Sequence, residues 1–90
     1  MTTYTDSSLR HIRSLAAHGA CFRTDDGDRP VTVELCEELL AWIRSTPSVA
    51  SATYAMVLPG IDADFALLVN RDGTVESGTR ELIDDLLWMR

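Results

Sequence analysis

Carboxylates, two cysteines and two histidines are the groups in this chain with obvious chemistry, and their spacing decides what they can do. Asp25-Asp26-Gly27-Asp28 invites a calcium loop. Aligning Gly27 with the glycine an EF-hand requires, however, puts Phe22 at the first ligand position and Val33 at the last, where carboxylates are needed. The segment reads instead as a turn with a solvated acidic surface. Asp62 and Asp64, separated by Ala63, offer oxygens for magnesium or an acid–base pair, but no third ligand or histidine lies near them in sequence. Loop solvation accounts for both. His18 and Cys21 stand three residues apart at a helix-to-strand junction, and a cysteine–histidine pair can generate a thiolate nucleophile. So short a spacing seldom supplies the geometry, and His18 near a helix C-terminus is well placed as a cation opposite the dipole. His11 and His18 share a solvated helix face without a further ligand. Glycine-rich phosphate loops, nucleophile elbows and zinc-helix motifs are absent from the sequence. The expectation is a non-enzymatic protein that uses neither cofactor nor metal.

The most unusual local feature is a tryptophan. At about 100° per residue, Trp88 falls 100° or more from the stripe of Leu82, Leu86 and Met89 and shares its helix face with Glu81, Asp84 and Asp85. A helix serving only a core has no use for an indole among carboxylates. Tryptophan is favoured at interface hot spots, and the surrounding charge suits an arginine-rich or lysine-rich partner. The plainer alternatives are a terminal turn that folds back and buries Trp88, or a frayed, exposed end. Trp88, Glu81, Asp84 and Asp85, with Asp25, Asp26 and Asp28 of the acidic turn, are the candidate partner-binding residues.

The elements that position these groups follow from periodicity. Val31 to Ser45 is the strongest helix: Leu35, Cys36, Leu39, Leu40, Trp42 and Ile43 fall on one wide arc, and Glu34, Glu37, Glu38, Ala41, Arg44 and Ser45 fall opposite. Thr32 is placed to cap it, and Pro47 stops it. An earlier helix, capped by Asp6, Ser7 or Ser8, carries a narrower stripe of Leu9, Ile12, Leu15 and Ala16 and closes at Gly19. Ala20 to Thr24 reads as a short strand, with Arg29 to Val33 as a brief return that Pro30 confines to an edge. Beyond Pro47 the period becomes extended, with alternation from Ala50 to Leu58 and a proline–glycine turn through Ile61. Phe65 to Asn70 is apolar on both faces, the mark of an inner strand. Asn70-Arg71-Asp72-Gly73-Thr74 turns it into a short edge strand at Val75 and Glu76. A last helix, Arg80 to Arg90, is capped by Ser77 or Thr79 and turns Leu82, Ile83, Leu86, Leu87 and Met89 inward. The order helix, strand or hairpin, helix, three strands, helix implies an α+β fold with a small antiparallel-rich sheet of about three to five strands and three helices.

Ninety residues hold one hydrophobic core, so residues 1–90 are expected to form a single compact domain. The apolar runs are far shorter than the roughly 20 residues that span a bilayer, and the N-terminus lacks a basic and apolar signal pattern. A cytoplasmic protein is expected, with Cys21 and Cys36 as reduced, core-buried thiols. Fourteen carboxylates against eight arginines leave a net charge of −6, which disfavours direct contact with nucleic acid or an anionic membrane and favours a basic protein surface.

In composition the chain is similar to the small acidic inhibitors carried by phages and other mobile elements, a class that includes anti-CRISPR proteins, DNA mimics and nuclease immunity proteins. The resemblance implies a protein–protein inhibitor that occupies a basic site on a nucleic-acid-handling protein. The alternative is a structural or adaptor domain that forms a symmetric homodimer through a sheet edge or its last helix.

Overall fold

The computed structural model describes residues 3–88. They form helix α1 (Asp6–Ala17), strands β1 (Cys21–Thr24) and β2 (Gly27–Pro30), helix α2 (Val33–Ser45), strands β3 (Ser51–Val57), β4 (Phe65–Asn70) and β5 (Val75–Thr79), and helix α3 (Arg80–Trp88). The five strands make one antiparallel sheet in the order β2-β1-β3-β4-β5. This is the α+β arrangement that the periodicity implies.

Side-chain alternation on the inner strands explains the layering. Phe65, Leu67 and Val69 of β4 face one side, where α1 and α2 bury Ile12, Cys36, Leu40 and Ile43 against them together with Phe22 and Met56. Ala66 and Leu68 face the other side, where Ile83 and Leu86 of α3 meet them. A strand covered on both faces has to be apolar on both, and β4 is from Phe65 to Val69. The second cluster is small because α3 packs mainly on β4 and β5.

Local chemistry sets the ends of the elements. Thr32 accepts the Leu35 amide at 3.1 Å and starts α2. Thr5, rather than Asp6, Ser7 or Ser8, caps α1: its Oγ1 accepts the Ser8 amide at 3.2 Å, while Ser8 itself is buried and accepts the Val75 amide. The C-terminus of α2 has no glycine to close it. Arg71, from the β4–β5 turn, does the work instead: its Nη1 donates to the carbonyls of Ile43, Thr46 and Val49 at 3.1, 3.1 and 2.8 Å, and its Nη2 to that of Arg44 at 3.1 Å. Arg44 Nε answers by donating to the Arg71 carbonyl. A planar fork suits several carbonyls at once, and the positive charge lies where the helix dipole is negative. The same turn pins the N-terminal lead. Thr5 donates to the Gly73 carbonyl at 3.0 Å, and Tyr4 is buried with its hydroxyl donating to the Cys36 carbonyl. Gly73 is at φ +87°, and a Cβ there would stand 2.6 Å from the Thr3 carbonyl oxygen, so only glycine fits.

Further sequence expectations are corrected. The return of the first hairpin is Gly27–Pro30 and not Arg29 to Val33, because a two-residue loop pairs Thr24 with Gly27 and brings the chain back earlier. Strand β5 runs three residues past Glu76, to Thr79, because β4 offers it a full-length partner. Cys21 is only half-buried. Trp42 is 53% exposed: the sheet contacts α2 through Cys36, Leu40 and Ile43, and Trp42 lies more than about 100° around the helix from their midpoint.

Candidate protein-binding site on the third helix

Helix α3 begins without a loop, directly after β5, with Thr79 Oγ1 accepting the Leu82 amide at 3.4 Å and the Arg80 amide donating to the Asp64 carbonyl at 2.9 Å. Once its start is fixed, helical geometry dictates the rest. Ile83 is fully buried and Leu86 half-buried against the sheet. Diametrically opposite lie Glu81, Asp84, Asp85 and Trp88, all exposed, with Trp88 89% exposed. The indole thus stands in water among three carboxylates that make no ion pair with any other described residue.

Two leucines depart from the expected inward face. Leu82 is 58% exposed and Leu87 40%, because each lies on a shoulder of α3, well to one side of the Ile83–Leu86 seam, and a single helix lying on two strands covers only that seam. Met89 lies outside the described residues. The exposed leucines add apolar surface on the flanks of the helix, about 100° or more around the axis from the indole. Sequence periodicity alone conceals this, since it cannot reveal that α3 has no neighbouring helix on its side of the sheet.

The structure separates the two acidic groups proposed from sequence. Asp25, Asp26 and Asp28 are exposed on the β1–β2 hairpin at one edge of the sheet, and α3 covers the strands at the other. From β2 to β4 is three strand spacings, about 14 Å. That exceeds the roughly 8 Å over which exposed charges act at physiological salt, so the hairpin does not reinforce the field around Trp88. The Trp88 face is the more complete site, because it combines charge with an apolar anchor.

The other groups with chemistry are otherwise engaged. His18 Nδ1 donates to the Ser14 carbonyl at 2.7 Å, and Cys21 Sγ donates to the Gly19 carbonyl at 3.6 Å, so the two do not form a pair. His11 lies within 2.6 Å of Ser77 Oγ, binding α1 to β5 rather than facing solvent with His18. Asp64 pairs with Arg23 at 3.9 Å, and it also lines an exposed cleft of about 400 Å³ with Ala63, Thr79, Arg80 and Glu81. Among the described residues, no group of three or more histidine, cysteine, aspartate or glutamate side chains is arranged to hold a metal. No described helix is long and apolar enough to cross a membrane. Compared with protein families, with curated proteins and with solved structures, the chain matches none.

Proposed function

We propose that this protein is a non-enzymatic protein-binding module, an acidic inhibitor whose α3 docks on a basic site of a nucleic-acid-handling protein. The observation that carries the reading is the exposure of Trp88, 89% open to solvent on a helix face otherwise made of Glu81, Asp84 and Asp85. An indole loses little entropy on binding and brings a large apolar area, while the carboxylates around it steer a cationic partner and set its orientation. The overall charge of −6 acts in the same direction at longer range, speeding encounter and repelling nucleic acid itself. The aspartates of the β1–β2 hairpin would contribute to steering only.

A second reading, self-association into a symmetric dimer, is favoured by a different observation. Leu82 and Leu87 are exposed on opposite shoulders of α3. Paired across a two-fold axis through one shoulder, two such helices would bury one of these leucines from each copy. Light scattering on the eluting peak of a size-exclusion column separates the two: the inhibitor reading expects the monomer mass, and a stable dimer overturns it. The inhibitor reading also expects a captured partner to be lost on raising salt and on Trp88→Ala. Capture indifferent to both would refute it.

A further inference from the structure

On the opposite side of the sheet from α3, a groove runs between α2 and the first hairpin. Leu35 and Leu39 of α2, each half-buried, overhang Phe22 of β1 and Tyr54 of β3, and the space they enclose is about 220 Å³. The Tyr54 ring meets the edge of Phe22 at a centroid distance of 6.1 Å and an interplanar angle of 71°, which makes a firm aromatic floor. Strand register places the charge: Arg29 pairs directly with Phe22 across β2 and β1, so its side chain stands on the same face and lines the mouth of the groove. Among the described residues, Arg29 has no carboxylate within ion-pairing distance, and the Tyr54 hydroxyl has no hydrogen-bond partner.

We infer that this groove binds a small amphipathic monocarboxylate, an aromatic ring or short alkyl group seated on Phe22, Tyr54, Leu35 and Leu39 with its carboxylate held by Arg29. An engineered protein cavity of roughly 150 Å³ accommodates benzene, so the space here fits one ring and a short acidic arm. The chemistry requires a single anion. A guanidinium grips a carboxylate through two parallel N–H donors. Of the other lining residues, Arg23 is already paired with Asp64 and the Thr24 hydroxyl donates to the Gly27 carbonyl, so a second charge would find no free partner. The net charge narrows the choice further: in a chain of net charge −6, a multiply charged anion is repelled more strongly than a monoanion, whose one charge Arg29 offsets. The Tyr54 hydroxyl is protonated at neutral pH, and burial raises its pKa further, so it is a donor there. This site lies on the α2 side of the sheet and is independent of the Trp88 face.

The test is a titration of the full chain with 3-phenylpropionate, followed by NMR of the Leu35 and Leu39 methyl groups and the Arg29 side-chain Nε–H. Saturable shifts at these positions are expected, with a Kd on the order of 1 mM for so small a ligand. The neutral amide, 3-phenylpropanamide, should bind about tenfold more weakly, because it forfeits the charge-assisted bonds. Arg29→Gln should weaken the acid far more than the amide and so erase most of that tenfold preference, and Arg29→Lys should retain part of it. Shifts that do not saturate at these residues, or acid and amide bound equally by the wild type, would overturn the assignment, and the second comparison depends on no variant folding.

Discussion

The two thiols differ in what surrounds them. Cys36 is fully buried, and loss of hydration pushes its pKa from 9.0 up to about 12; Cys21 is half-buried and lies at the start of a strand. A thiol-specific reagent at mildly alkaline pH should therefore modify one cysteine per native chain and two once the chain is unfolded. The same shift has a consequence for stability. Because the folded state holds the Cys36 proton more tightly than the unfolded state, its contribution is complete below pH 9 and is lost as pH climbs toward 12. Tyr4 and Tyr54, also raised by burial, act in the same direction from about pH 10 upward. Urea melts across this range should show falling stability, with a shallower fall in Cys36→Ala. Packing gives a second contrast along α2. Leu40 has no exposure, so Leu40→Ala should cost about 2 to 5 kcal/mol, whereas Leu39→Ala, at the open groove, should cost less and Glu38→Ala under about 0.5 kcal/mol. Equal losses from Leu40 and Leu39 would mean that the groove is closed in solution.

At the level of elements, the least expected dependence is that of α2 on a turn 25 residues or more away, since Arg71 Nη1 alone serves the carbonyls of Ile43, Thr46 and Val49. Arg71→Ala should leave these acceptors without their charged donor and destabilise the fold by at least about 1.5 kcal/mol, measured by denaturant melts. Arg71→Lys should rescue little, because one ammonium cannot span the fork. Such a partnership cannot be seen in sequence: Asn70-Arg71-Asp72-Gly73-Thr74 declares a hairpin, and nothing local says that its arginine reaches another element. What was legible was whatever one segment decides alone. Thr32 and its helix, the two-sided β4, the turn at Pro59-Gly60 with Gly60 at φ +76°, and the order of elements all come from short-range pattern. What was not legible depends on coverage. The arcs holding Trp42, Leu82 and Leu87 are apolar in the sequence, yet each helix touches its sheet along a narrower seam than its apolar arc. The groove at Phe22, Arg29 and Tyr54 arises only when register sets β1 between β2 and β3. Trp88 was distinguished from its sequence neighbours because its carboxylate surroundings and its helical phase agree.

For the whole molecule, the sheet divides the surface into two regions of different character. One side carries α1, α2 and the arginine-mouthed groove, and the other carries α3 on half the sheet, with its indole and carboxylates. The net charge of −6 makes encounter with a basic partner faster at low salt, and an affinity flat between low and moderate salt would contradict the electrostatic part of the proposal. Reversing Asp25, Asp26 and Asp28 to lysine should slow association with little effect on dissociation, as expected for a charge that steers from a distance. The central claim is that Trp88 anchors a partner and contributes little to the fold, and it is tested most directly by measuring Trp88→Ala twice, in a thermal melt and in binding to the captured partner. The account predicts a melting temperature within about 1 °C of the wild type and an affinity weakened by about 2 kcal/mol or more, roughly thirtyfold. An unchanged affinity, or a binding loss accompanied by a matching loss of stability, would contradict it.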